Sequence, residues 1–153
     1  MQKGWLLVWL MSGLLLIGER SAVALPNLTV STSMEANSLP LDGMGSSQQE
    51  RIVRVADFSI TDAGNNGYTL TINASNSLVK ADGSTPIPFQ AVTVALGAPP
   101  PSSSEFTTPV NQPYVFSSTL TQENRTLYIR YTPTYLQDPG NYSALLSVSV
   151  VDR

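Results

Sequence analysis

The chain has 153 residues, 42% hydrophobic, 12% charged and 8% aromatic, with a formal net charge of −3. It contains no Cys and no His, which excludes thiolate nucleophiles, imidazole bases, disulfides and zinc sites of the usual nitrogen–sulfur type. The length fits one domain.

Residues 1–24 read as an address rather than as part of a fold. Lys3 gives a positive start, and Trp5 to Gly18 (WLLVWLMSGLLLIG) is an apolar run of 14 residues. Glu19 and Arg20 end the run, and Ala22-Val23-Ala24 supplies a small-x-small cleavage pattern. That order predicts a helical secretory signal peptide cut after Ala24. The rival is an uncleaved anchor, but 14 helical residues rise only ~21 Å against a hydrocarbon core of ~30 Å. No stable membrane span is expected after cleavage, and no Cys stands at the junction to carry a lipid. The expected destination is outside the cytoplasm: extracellular, cell-surface or periplasmic. Export without Cys, and with Lys80 as the one lysine after residue 24, leans toward a bacterial secreted protein.

The single domain expected at 25–153 has 129 residues and a net charge of −4. It carries no basic patch, so binding to nucleic acid or to anionic lipid has no electrostatic basis. A core of this size can form without disulfide staples.

From there the chain alternates with period two. Leu28-Thr29-Val30-Ser31 is a short first strand, followed by Arg51–Ile60 (RIVRVADFSI). Tyr68, Leu70, Ile72 and Ala74 face one way, with Thr69, Thr71, Asn73 and Ser75 opposite. Further β runs are Phe89–Leu96 (FQAVTVAL), Tyr114–Leu120 (YVFSSTL) and Thr126–Tyr131 (TLYIRY). Near the C-terminus, Tyr142, Ala144, Leu146, Val148 and Val150 share one face of a further strand, with Ser143, Ser147 and Ser149 opposite. β-Branched and aromatic residues fill these runs, as a half-buried pleated surface requires. No helical apolar stripe follows residue 24. Turn residues separate the strands: Asp62–Gly67 (DAGNNG), the hairpin signal Ala81-Asp82-Gly83-Ser84, and Asp138-Pro139-Gly140-Asn141. The fold class predicted is all-β, an immunoglobulin-like β-sandwich of about seven strands.

Two stretches break the rhythm, Glu35–Glu50 and Gly97–Pro113. Loops this long are functional or mobile in compact domains, and Pro99-Pro100-Pro101 favours an extended polyproline conformation. Pro99, Pro100, Pro101 and Phe106 are the candidate recognition loop; a stiff surface connector is the competing explanation.

Chemistry has few footholds. Lys80 precedes a turn, where a solvated head group is the default, so neither a Ser–Lys dyad nor a Lys–Asn cross-link is expected. Asp57 and Asp62 are close in sequence, but a strand face beside Arg54 and a turn account for them without glycoside chemistry. Asp62, Asn65 and Asn66 offer hard oxygen ligands, yet lack the alternating acids of a calcium loop. No catalytic residue, metal or cofactor is assigned. Asn-x-Ser/Thr triplets at Asn27, Asn73, Asn124 and Asn141 matter only in a glycosylating pathway.

The segment Val55-Ala56-Asp57 … Gly67-Tyr68-Thr69-Leu70-Thr71-Ile72-Asn73-Ala74-Ser75 resembles the core of WxL-type surface domains and the related segment of Cys-free fimbrial subunits. Asp138-Pro139-Gly140-Asn141-Tyr142-Ser143-Ala144 through Val148 is similar to the C-terminal strand of pilin, spore-coat-U-like and WxL-like domains. Tyr68 stands where a WxL protein carries its first Trp, no second Trp-x-Leu follows, and the Cys pair of type 1 pilins and spore-coat-U domains is absent. The resemblance implies an extracellular immunoglobulin-like sandwich that assembles.

The function expected is a non-enzymatic surface or structural module, a fimbrial-type subunit or adhesion protein acting by strand addition on itself or on other surface subunits. Its candidate strand-exchange segment is Leu28, Val30, Thr32 and Met34, whose competing explanation is an ordinary first strand. The alternative function is a monomeric secreted binding domain that uses the 97–113 loop.

Overall fold

Alternating side chains translate directly into strands. The computed structural model describes residues 25–37, 39, 49–74, 77–80, 85–133 and 142–153. The expected signal peptide and the turns at 81–84 and 138–141 lie outside the described residues. The strands are β1 (Asn27–Thr32), β2 (Arg51–Thr61), β3 (Tyr68–Ala74), β4 (Ser77–Lys80), β5 (Ile87–Ala95), β6 (Tyr114–Ser118), β7 (Glu123–Tyr131), β8 (Tyr142–Ser143) and β9 (Leu146–Asp152). Single 3-10 turns occupy Met34–Asn37 and Ser103–Glu105.

Two antiparallel sheets form, one in the order β1-β2-β7-β5-β4-β8 and the other β6-β3-β9. Constant-type immunoglobulin domains pack strands A-B-E-D against C-F-G. Here β1-β2-β7-β5 follow A-B-E-D, β3 and β9 stand as C and F, and β6 flanks the far side of β3. Among the described residues no strand pairs with the outer edge of β9, the position of G.

The inward faces make the core. Phe58, Ile60, Tyr68, Leu70, Ile72 and Leu127 meet between the sheets, joined by half-buried Leu146, Val148 and Val150 of β9. Full burial of each large apolar side chain is worth about 1.5–3 kcal/mol. A second cluster under β4 and β5 holds Leu78, Ile87, Phe89, Ile129 and Tyr131. The β2–β7 register shifts between Arg54 and Ala56; the bulge lets Val53, at odd parity, and Ala56, at even parity, both face inward. The connection from β2 to β3 crosses between sheets, and Asp152 fastens it by accepting the Gly64 N–H at 2.8 Å.

Among the described residues there are nine strands rather than about seven. The C-terminal run expected as one strand from Tyr142 to Val150 is two: β8 pairs with β4 in the large sheet, and β9 pairs with β3 in the small one. Tyr142, Ala144 and Leu146 keep a common parity across the break, so alternation alone does not reveal that the chain changes sheets. The strand ends also move, with β7 starting at Glu123 and β6 ending at Ser118.

Candidate functional site

The 97–113 loop does not hang free. It folds back over the outer face of the large sheet, where Phe106, 4% exposed, packs on Val92 and Tyr128. Gln90 Nε2 donates to the carbonyls of Phe106 (3.2 Å) and Thr108 (2.6 Å). Arg130 Nη1 donates to the Ser103 carbonyl at 2.7 Å, Nη2 bonds Gln90 Oε1, and the Arg130 guanidinium carbon lies 5.4 Å from the Phe106 ring centroid. Glu50 closes this cluster, accepting from the Ser103 hydroxyl and pairing with Arg130 at 3.4 Å. Within the loop, Glu105 accepts from the Ser102 N–H at 2.7 Å, and bonds from the Ser102 backbone and hydroxyl hold its carboxyl below the usual range.

Of the four residues assigned to recognition, Pro99 and Pro100 are exposed, whereas Pro101 and Phe106 are buried. Ser102 at φ −77°, ψ 162° continues an extended polyproline geometry out of the triple proline. Phe106 is therefore the anchor of the loop, and Pro99-Pro100 is the part it presents. A sequence signal for this existed in Val92, Val94 and Tyr128, which are apolar at outward-facing parity on β5 and β7. Strands apolar on both faces are covered on both faces.

The candidate strand-exchange residues fall on β1 and on the turn that follows it. Leu28, Val30 and Thr32 lie in β1, antiparallel to β2 opposite Ile60, Phe58 and Ala56. All three point to the inner side, but only Leu28 packs on the core; Val30 is 47% exposed. Met34 lies beyond the strand in a 3-10 turn and is 88% exposed.

Sequence reasoning missed a buried ionic cluster between the sheets. Arg125, 7% exposed, sends Nε to Thr93 Oγ1 (2.9 Å), Nη2 to the Thr93 carbonyl (2.7 Å) and Nη1 to Glu123 Oε1 (2.5 Å). Tyr68 Oη donates to the other Glu123 oxygen at 2.8 Å, and the Tyr114 and Thr93 hydroxyls lie 3.0 Å apart. Burial disfavours the Glu123 anion, but bonds from Tyr68, Ser118 and Arg125 outweigh it, so the carboxyl is held below its ordinary range. Burial pushes the Tyr68 phenol up, and Glu123 adds to the rise. The clue was parity: Glu123 and Arg125 alternate in step with Leu127 and Ile129, on the core face. Asp57, weighed for catalysis, is paired with Arg54 and accepts from Thr126 Oγ1 at 2.9 Å, while Asp62 accepts from Thr61 at 3.0 Å.

The remaining feature is backbone. β9 pairs with β3 in unbroken register from Leu146 to Asp152, and among the described residues no strand pairs with its opposite edge. Leu146–Val151 (LSVSVV) contains no charge and no Pro, the two residue types that normally blunt an exposed edge. Compared with known proteins, the chain matches no protein-family model and no curated sequence.

Proposed function

We propose that this protein is an exported, non-enzymatic surface or structural module that assembles by strand addition, on itself or on other surface subunits. One observation carries the reading: the core-backed edge of β9 that no described strand pairs stands where the immunoglobulin arrangement has its last strand, and from Leu146 to Val151 it lacks the charges, prolines and bulges that deter pairing. Inner-facing Leu146, Val148 and Val150 extend the core to that edge, so an added strand gains both a ladder and apolar burial. β1 is the segment least committed to its own core, held by its ladder to β2 and the half-buried Leu28.

Light scattering on the protein recovered from a secreting host, with gels before and after heating in SDS, tests the reading. A heat-labile oligomer, whether a dimer or a ladder, supports strand addition. A monomer at every concentration overturns self-assembly. Deleting residues 25–34 then separates roles: a donor is needed only for polymerisation, a first strand for folding.

The exposed Pro99-Pro100 step, presented on a loop fastened at Ser103, Phe106 and Thr108, favours a second reading, a monomeric binding domain. A preformed polyproline turn loses little entropy on docking into an aromatic-lined groove.

A further inference from the structure

We propose that the strand added beside β9 is β9 of a second copy of this chain, antiparallel about a two-fold axis through Ser149. The inference rests on the strand-addition reading and names its partner and register.

Among the described residues the two sheets end in four edge strands, β1, β8, β6 and β9, and they are not equivalent; β8 is only two residues long. Past Leu28, the inner side chains of β1 have no core behind them, so a strand added there gains a ladder and little burial. β6 is five residues long and follows Pro113. β9 offers seven residues with Leu146, Val148 and Val150 packed on the core. β1 approaches β9 on this side of the sandwich, and its inward Val30 is 47% exposed. Inner side chains of an incoming strand would cover it.

The occupant follows from what each segment gives up. A β1 from another copy must abandon its six-residue ladder with β2, whereas β9 breaks nothing, because its outer edge pairs with no described strand. β9 also matches itself. An axis through Ser149 pairs all seven residues: Leu146 with Asp152, Ser147 with Val151, Val148 with Val150, and Ser149 with its twin. Leu146, Val148 and Val150 stay inside in both copies, while Ser147, Ser149 and Val151 stay outside. A slip of one residue would turn the apolar set to solvent. The Val148–Val150 pairs are of the β-branched kind that favours cross-strand contact. The two Asp152 carboxylates fall at opposite ends, ~20 Å apart, beyond the screening length at physiological salt. The interface is isologous and closes as a dimer rather than a fibre.

The absence of Cys from the chain makes the register directly testable. Opposed Cα atoms in an antiparallel pair lie ~4.5–5.5 Å apart, within disulfide range. Ser149→Cys, Ser147→Cys and Val151→Cys all change exposed outward residues, so each variant of the full chain should keep the wild-type circular dichroism. Under mild oxidation, Ser149→Cys is expected to form a reducible dimer. Ser147→Cys alone is not, since its twin lies ~13 Å away along the strands. A mixture of Ser147→Cys and Val151→Cys chains should form the mixed dimer. Dimers by light scattering with no preference for Ser149→Cys over Ser147→Cys would overturn the β9 pairing and leave strand addition standing. A monomer with no cross-link in any variant would overturn both.

Discussion

The guanidinium of Arg125 lies over the ring of Phe116, its central carbon 3.5 Å from the ring centroid, and so joins β7 of the large sheet to β6 of the small one. The same guanidinium holds Glu123 and both oxygens of Thr93, and Glu123 in turn holds Tyr68 of β3. Four strands from both sheets thus meet at one ionic pair. Arg125→Met should leave Glu123 without its counter-charge and cost about 3–5 kcal/mol. Arg125→Lys should cost less, because it keeps the charge and loses the fork. Urea unfolding midpoints check both.

The Glu123 carboxyl gives the acid limb of stability its sign. Its ionisation in the fold lies below the ordinary 4.5, so the stabilisation is complete above that value and drains away as pH falls through the folded one. Glu123→Gln should therefore be less stable than wild type at neutral pH, and the gap should close in acid. Denaturant midpoints measured at successive pH steps from neutrality downward show whether the two curves converge.

Tyr68 sets the alkaline side. Burial first, then the Glu123 carboxylate, raise its phenol above the ordinary value of 10. A raised value means full stabilisation below about pH 10, lost as pH climbs through the folded one. Tyr68→Phe removes the donor to Glu123 and should cost about 1–3 kcal/mol at neutral pH. In a difference titration of phenolate absorbance, wild type minus Tyr68→Phe, this tyrosine should ionise only as the protein unfolds.

Gly67 closes the crossing from β2 to β3 at φ +84°, where a Cβ would come within 2.0 Å of the Ser118 carbonyl oxygen. Backbone strain and overlap add here, so Gly67→Ala should cost about 2–5 kcal/mol. Gly97 has a similar φ of +85° but open space around it, so Gly97→Ala should cost only the backbone part, about 1–2 kcal/mol. Thermal unfolding of the two variants should rank them in that order.

Period two made most of the strands legible, because each half-buried face writes its burial into every second residue. It could not show that β8 and β9 lie in different sheets, since the Tyr142, Ala144, Leu146 parity continues through the crossing. The edge of β9 that no described strand pairs was equally hidden: pairing is a backbone property, and Leu146–Asp152 reads the same beside one neighbour or two. Phe106 sits in a Pro-rich stretch that looks like surface, and its burial depends on Val92 and Tyr128, 14 and 22 residues away. Only the outward parity of those two residues carried the information.

That dependence gives the last test. Phe106→Ala removes the ring packed on Val92 and Tyr128 while leaving the inter-sheet core intact. Loss of a buried Phe costs about 3–5 kcal/mol when the site cannot relax; here the loop can lift away, so the loss of global stability should be smaller. The loop's fastenings should loosen together, since the Ser103, Phe106 and Thr108 carbonyls are held by Arg130 and Gln90 only while the chain lies on the sheet. Hydrogen exchange should quicken across 103–108 and stay slow in β2, β3 and β7. Exchange quickening equally in those strands would make the loop part of the folding core rather than a cover fastened onto it.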